Sequence, residues 1–282
     1  MDGGRWDDLD AATALALLEW QAEMGADEPA LDAPLDRFAM ADRPPAAAAA
    51  PAPLAASPAM VGPATAAPQL SPGAAEPDLD ALVAEAQRMA DAAPTLEDLA
   101  AAQERFDGIE LKKGARRFVF ADGNPAARVL ILGEAPGDEE DRQGRPFVGR
   151  AGQLLDLMFA AIGMARDHVD ATRALYITNI LPWRPPGNRD PSDAEMAMMM
   201  PFVRRHVELA APDLVVLMGN TPCQAALGRR GILRLRGNWT EAFGRPAMPM
   251  THPAYLLRNP VAKRESWADL LSVQARLESL SV

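Results

Sequence analysis

After about residue 106, short continuous apolar runs alternate along the chain with segments of helical spacing. Continuous apolar runs are typical of strands that are covered on both faces. Three runs fit this pattern clearly and a fourth, which contains Pro249, fits it weakly: 129–132, 175–178, 214–218 and 247–250. Helical spacing follows at 152–163, 193–209 and 222–227. This alternation predicts an α/β fold around a parallel sheet with right-handed crossovers, and Pro249 indicates that the fourth strand lies at an edge.

The first hundred residues have a different pattern. Residues 44–77 are almost entirely Ala, Pro, Ser and Gly, which offer too little apolar area to offset the entropy of ordering. Residues 1–43 are acidic and include a short amphipathic helix at 10–24, which serves either to dock a partner or to rest on its own domain. We therefore expect an acidic tail over 1–43, a disordered linker over 44–77 and one domain over 78–282. Within that domain, a first helical region at 78–106 is broken at Pro94.

The charge of the chain is divided unevenly. The whole chain has a formal net charge of −11, but residues 1–103 hold 4 Lys/Arg against 18 Asp/Glu. Residues 104–282 hold 24 Lys/Arg against 21 Asp/Glu, a net of +3. The acidity thus belongs to the tail, and the mildly basic remainder permits contacts with the phosphates of a nucleic acid without requiring them.

The single cysteine, Cys223, excludes a disulfide framework and any multi-cysteine metal site. The acidic N-terminus lacks the pattern of a signal peptide, and no apolar run is long enough for a membrane span. We expect a cytoplasmic monomer that does not bind a membrane.

Polar residues follow each of the four predicted strands. Glu134, Asn179, Asn220 and His252 come at or just after the strand ends. In a parallel sheet, ligands bind at the carboxyl ends of the strands, so a carboxylate, two amides and an imidazole would share one edge. Small polar residues commonly end strands, and the hypothesis of a site depends on several of them having the same register.

Glycine-rich segments follow the first strand. The segment 133–137 is not a phosphate cradle, because no Gly-Lys-Ser/Thr follows it and four carboxylates do. In the next segment, 144–152, Phe147 lies in a glycine-rich loop between Arg145 and Arg150. This arrangement suits stacking of the ring on a planar base while the guanidinium groups hold the nucleic acid backbone.

Five segments together resemble the family 4 uracil-DNA glycosylases, in that family's order. They are GEAPGDEED (133–141), GRPFVGRAGQLLD (144–156), YITN (176–179), RPPGNRDP (184–191) and THPAYLLRNP (251–260). The resemblance spans about 118–271. It implies a three-layer αβα fold with a four-stranded parallel sheet, and cleavage of the glycosidic bond of uracil in DNA.

The resemblance also implies roles for individual residues. Phe147 matches the aromatic residue that stacks on the flipped uracil, Asn179 the amide that pairs with the base, and His252 the histidine that contacts O2. Gly133 and Ala135 belong to the same base-binding motif. An amide can satisfy O4 and N3 of uracil while it mismatches cytosine.

Residues 253–258 match the loop that enters the minor groove. Leu256 or Leu257 would be the apolar wedge, and Arg258 would contact a phosphate or the strand. With Arg145 and Arg150, these residues form the predicted DNA contacts.

The group that activates water is left open by the sequence. Ala135 stands where some uracil glycosylases carry an aspartate. Glu134 is then the best-placed carboxylate and Asp138 the reserve. Either of them could instead order the loop by accepting backbone N–H bonds.

The chain departs from the family at the four cysteines that hold a [4Fe–4S] cluster in family 4. The matching positions hold large apolar residues, namely Phe106, Ile109, Trp183 and Met199. Because such clusters need thiolate ligands, we expect neither a cluster nor another cofactor or metal. The four side chains are predicted to fill the vacated volume as a hydrophobic plug.

Two functions follow from these observations. The leading hypothesis is a DNA repair glycosylase that flips uracil out of DNA and hydrolyses its N-glycosidic bond, leaving an abasic site. The alternative is a non-catalytic DNA-binding or scaffold protein that recruits a repair or replication partner through its acidic tail. Retention of Phe147, Asn179 and His252 favours the enzyme. Residues 184–191 contain no histidine, which argues against the subgroup that links covalently to DNA through one.

Overall fold

The computed structural model describes residues 78–280. The predicted helix at 10–24 and the linker at 44–77 lie outside the described residues. Within 78–280, no helix combines the length and apolar character needed to span a membrane.

One six-stranded sheet forms the centre of the described domain, in the order β1-β3-β2-β4-β6-β5. The strands are β1 Ala121–Gly123, β2 Val129–Gly133, β3 Leu175–Asn179, β4 Leu214–Met218, β5 Thr240–Ala242 and β6 Arg245–Met250. The four predicted strands are the central ones, and all pair in parallel. The sequence missed β1 and β5, which add one antiparallel strand at each edge. These two strands are three residues long and contain no apolar run, so hydrophobic periodicity could not indicate them.

The predicted edge position of Pro249 is wrong for the sheet as a whole, since β5 lies outside β6. However, β5 pairs only with 245–247. Beyond the end of β5, the loop at Gly237 lies beside β6, and the Gly237 N–H donates to the Pro249 carbonyl at 3.1 Å. Because β5 ends before it reaches Pro249, it requires no N–H donor from that residue, and a proline is tolerated there.

Helices cover both faces of the sheet. They are α1 Leu79–Asp91, α2 Leu96–Arg105, α3 Leu111–Gly114, α4 Asp138–Gln143, α5 Arg150–Ala160, α6 Asp193–Ala210, α7 Asn220–Leu227, α8 Ile232–Leu235, α9 Pro253–Arg258 and α10 Lys263–Ser279. Leu130 and Leu132 point into a core shared with α1, α2, α6 and α7. Val129 and Ile131 point into a second core with α5 and α10. Alternate strand residues therefore fill two layers, which confirms the αβα fold.

Local sequence explains where the main helices begin. Thr95 caps α2 by accepting the Asp98 N–H at 3.1 Å, just after the break at Pro94. Ser192 and Glu195 form a reciprocal capping box at the start of α6. The four carboxylates at 138–141 form the first turn of α4. Negative charge is favourable there because it faces the positive end of the helix dipole.

The four residues at the cysteine positions share one apolar core. Phe106, Ile109, Trp183 and Met199 are all buried in the cluster on the α1 and α6 side of the sheet. The Phe106 ring packs edge-on against Phe202 at 5.7 Å between centroids. The predicted hydrophobic packing is confirmed, and these apolar side chains do not fit the ligand set of an iron–sulfur cluster.

Candidate active site

A cavity of about 610 Å³ opens at the carboxyl edge of the sheet. Its walls include residues that lie one or two positions after three strands, Glu134 after β2, Asn220 after β4 and His252 after β6. Phe147 and Ala135 also line it. The expectation that polar strand-end residues share one edge is therefore confirmed for these positions.

Gly133 brings Phe147 and Asn179 together. The register of the sheet places Gly133 of β2 beside Asn179 of β3. A Cβ atom on Gly133 would lie 2.2 Å from Asn179 Oδ1 and 2.4 Å from Cε2 of Phe147. The amide and the ring thus both pack against the bare Cα of this glycine.

The side-chain oxygen of Asn179 is buried and has no hydrogen-bond partner within residues 78–280. A buried acceptor without a partner costs free energy, which a ligand that donates a hydrogen bond would recover. The Asn220 amide differs, because its Oδ1 accepts the Gly231 and Ile232 N–H groups at 3.1 and 2.9 Å. Of these two strand-end amides, Asn179 is therefore the one with free acceptor capacity.

The imidazole of His252 completes the group. Its ring centroid lies 5.4 Å from that of Phe147, with 31° between the ring planes. The Phe147 ring thus neighbours both Asn179, across Gly133, and His252. The three side chains predicted to bind the base lie together.

His252 is held as a neutral hydrogen-bond donor. Burial lowers the pKa of His252 to about 4, helped by the positive charge of Arg258 and opposed by Glu140. Its Nδ1 accepts the Ala254 N–H at 3.1 Å and caps α9. In the neutral ring the proton is therefore on Nε2, which is left as a donor.

Of the two candidate bases, only Glu134 lines the cavity. Its Oε2 accepts the Thr221 hydroxyl at 2.6 Å. Burial raises the pKa of Glu134, and the hydrogen bond from Thr221 partly opposes that shift. Asp138 is instead exposed and paired with Arg184, so the structure removes it from the cavity wall.

Glu140, which the sequence analysis did not single out, orders the loop that carries Phe147. Its carboxylate accepts the N–H groups of Val148 and Gly149, both at 2.9 Å, and that of Gly137 at 3.1 Å. The loop-ordering role considered for Glu134 and Asp138 thus belongs to Glu140. Gly137 is the N-cap residue of α4, and Glu140 follows it by three positions. This is the spacing of a capping box, and it could have indicated the role of Glu140 from the sequence.

The segment predicted to enter the minor groove is the short helix α9 rather than a loop. Leu256 is fully buried within the domain, so its assignment as a wedge is wrong. Leu257 is 38% exposed and remains available. Arg258 is exposed and lines the cavity, which fits its predicted position beside the site.

The two arginines around the Phe147 loop are exposed. Arg150 is the first residue of α5. Arg145 lies 3.8 Å from Asp122, with 55% of its side chain exposed. Their contact with a nucleic acid backbone stays a prediction. Across residues 78–280, no group of three or more His, Cys, Asp or Glu side chains is placed to hold a metal ion.

Comparison with known proteins agrees with this geometry. A family model described as the Uracil DNA glycosylase superfamily matches residues 120–271. The chain is 40% identical over 144 residues to the Type-4 uracil-DNA glycosylase of Thermotoga maritima, covering 50% of this chain and 72% of that protein. It is 35% identical over 173 residues to the Type-4 uracil-DNA glycosylase of Archaeoglobus fulgidus, covering 58% and 84%. A Type-5 uracil-DNA glycosylase of Pyrobaculum aerophilum is 32% identical over 130 residues, covering 43% and 54%. The chain therefore belongs to the uracil-DNA glycosylase superfamily, as a family 4-like member.

Proposed function

We propose that this chain is a uracil-DNA glycosylase that flips uracil out of DNA and hydrolyses its N-glycosidic bond, leaving an abasic site. Its family membership supports the reaction class. The observation that carries the proposal is the unpartnered, buried Asn179 oxygen beside the Phe147 ring, with the neutral His252 imidazole next to that ring.

Asn179 and Phe147 would recognise the base. The free Asn179 Oδ1 suits the N3–H of uracil, and the amide NH₂ suits O4. Cytosine presents an acceptor at N3 and a donor at C4, so it would leave the buried amide mispaired. The Phe147 ring supplies an apolar face on which the flipped base stacks.

His252 would stabilise the leaving group. As the bond between C1′ and N1 breaks, the sugar becomes oxocarbenium-like and uracil gains negative charge at O2. A neutral Nε2–H donor that is already oriented binds this charge more strongly in the transition state than in the ground state. One such donor is typically worth about 3–4 kcal/mol.

Glu134 would activate the water that attacks C1′. It is the only one of the two predicted carboxylates on the cavity wall, and Thr221 fixes its orientation. A positioned general base typically contributes about 10²–10⁴-fold in rate. Arg258, Arg150 and Leu257 would contact the DNA around the extruded nucleotide.

An oligonucleotide with a single uracil tests the proposal. The wild-type chain should release the base and so leave a strand break after alkali, whereas the same oligonucleotide with thymine should stay intact. Asn179→Ala should lower the rate at least about 100-fold, because it removes a preorganised contact with the base. Asn124→Ala is a matched control, since among the described residues the Asn124 side chain accepts one hydrogen bond, from the Ala126 N–H in an exposed turn.

Two outcomes would contradict the proposal. Absence of any strand break with the wild-type chain would favour the non-catalytic scaffold, in which the acidic tail recruits a partner. Full activity of Asn179→Ala would reject the assignment of the base-binding site.

A further inference from the structure

Phe147 has a backbone conformation that needs support. Its φ angle is +53°, in the left-handed region that residues other than glycine adopt rarely. Its backbone also packs tightly on α5, because a Cβ on Gly152 would lie 1.9 Å from the Phe147 carbonyl oxygen. A non-glycine residue persists in such a conformation only where its surroundings determine it.

The guanidinium of Arg166 binds the carbonyl groups at this point of the loop. Its Nη2 donates to the Phe147 carbonyl at 2.7 Å and its Nη1 to the Pro146 carbonyl at 2.9 Å. Arg166 comes from the segment after α5, and only 13% of its side chain is exposed. The planar, forked donor set of an arginine matches two adjacent carbonyls in a way that a lysine ammonium cannot.

Two carboxylates also bind the Arg166 guanidinium and fix its orientation. Its Nε donates to Asp156 Oδ1 of α5, and its Nη1 donates to Asp122 Oδ2 of β1, both at 2.9 Å. Both contacts compensate the charge of a largely buried cation. Asp122 pairs with Ile177 of β3, the strand that ends at Asn179. The short strand β1 therefore connects the Phe147 loop to the strand that carries the base-pairing amide.

We propose that Arg166 is a positioning residue, which sets the orientation of Phe147 for stacking on the flipped uracil. This inference rests on the proposed function. Glu140 binds the N–H groups of the loop at 148 and 149, while Arg166 binds the carbonyls at 146 and 147. The loop thus has a charged partner for each kind of backbone group, and Arg166 is the partner that contacts Phe147 itself.

The test compares Arg166→Met and Arg166→Lys with Arg128→Met. Arg128 is a matched control because it is similarly buried, pairs with Asp213 and donates to the Leu277 carbonyl at 3.2 Å. It lies just before β2, at the opposite end of that strand from Gly133. Each variant is also made in a Phe147→Ala background. The readouts are single-turnover release of uracil, affinity for DNA with a tetrahydrofuran abasic analogue, and amide hydrogen exchange over 145–149.

Arg166→Met should slow base release about 10- to 100-fold, since a misplacement of about 1 Å can cost 100-fold. Its affinity for the abasic analogue should stay within about twofold of wild type, because that DNA has no base for Phe147 to contact. Exchange over 145–149 should accelerate in Arg166→Met and remain unchanged in Arg128→Met. Arg166→Lys should restore part of the rate, because it keeps a positive charge between Asp122 and Asp156.

In the Phe147→Ala background, Arg166→Met should lower the rate of base release by less than about twofold, because the ring that Arg166 positions is gone. The proposal would be overturned if Arg166→Met lowered the rate as much in that background as it does when Phe147 is present. Unchanged amide exchange over 145–149 in Arg166→Met would also overturn it. If Arg166→Met does not fold, Arg166→Lys enters the same double-mutant comparison. Inactivity of the wild-type chain would reject the proposed function, while the exchange data would still decide whether Arg166 orders the loop.

Discussion

Replacing Gly133 with alanine adds one methyl group at the point where the two side chains proposed to bind the base meet. That methyl carbon would lie 2.2 Å from Asn179 Oδ1 and 2.4 Å from Phe147 Cε2. Optimal contacts between such atoms are about 3.5 Å, so the amide and the ring must each withdraw by about 1 Å. Both neighbours are buried, which leaves them little room to do so without disturbing the site.

The expected magnitude follows from that displacement. A shift of about 1 Å in a positioning group can lower an enzymatic rate about 100-fold. Overpacking typically costs about 1–3 kcal/mol of stability. An alanine in a strand recovers about 0.5–1 kcal/mol of backbone entropy relative to glycine, which partly offsets that cost. Gly133→Ala should therefore remain folded and lose most of its activity.

Single-turnover release of uracil, together with a thermal melt, measures both effects. Gly114→Ala is the matched control, because a Cβ there meets nothing within 4 Å and Gly114 ends a helix. The control should keep the wild-type rate. A Gly133→Ala protein that releases uracil as fast as wild type would refute the reasoning that this glycine sets the base-binding geometry.

Three further predictions concern the general base, the wedge and pH. Glu134→Gln should slow base release about 100-fold, and Asp138→Asn by no more than about threefold, in the same single-turnover assay. Leu257→Ala should lower the rate of uracil excision from duplex DNA about tenfold, with little change in the melting temperature of the protein. Leu256→Ala should lower the free energy of unfolding by about 2–5 kcal/mol, measured in a denaturant titration. The lowered pKa of His252, about 4 against an ordinary 6.5, means that the unfolded chain binds its proton first as pH falls. The free energy of unfolding should thus decrease from about pH 6.5 to 4 in wild type, and less steeply in His252→Gln.

The sequence predicted the parts of the fold that depend on continuous apolar runs. The strands β2, β3 and β4 are buried along their whole length, and such strands give a strong local signal. The first two residues of β6 are only partly buried, and its signal is weaker. The strand-end residues then followed from topology, since parallel strands deliver their carboxyl ends to one edge. The resemblance to a known family added the proposed roles of Phe147, Asn179 and His252.

What the sequence did not predict depends on contacts between distant segments. Strands β1 and β5 are formed by pairing with a neighbour rather than by their own composition. Leu256 and Leu257 are adjacent and chemically identical, and only the orientation of α9 decides which one is buried. Arg166 approaches the Phe147 loop from 19 residues away, a relation that no local pattern indicates.

The location of the apolar residues at the cysteine positions explains how the chain can differ there and keep its site. Phe106, Trp183 and Met199 belong to the core on the α1 and α6 side of the sheet. Phe147 belongs to the core on the opposite side, with α5 and α10. The sheet lies between the two cores, and each of its four central strands has a neighbour on both sides. The packing of the first core could therefore change from metal ligation to apolar contact without moving the residues that would bind the base.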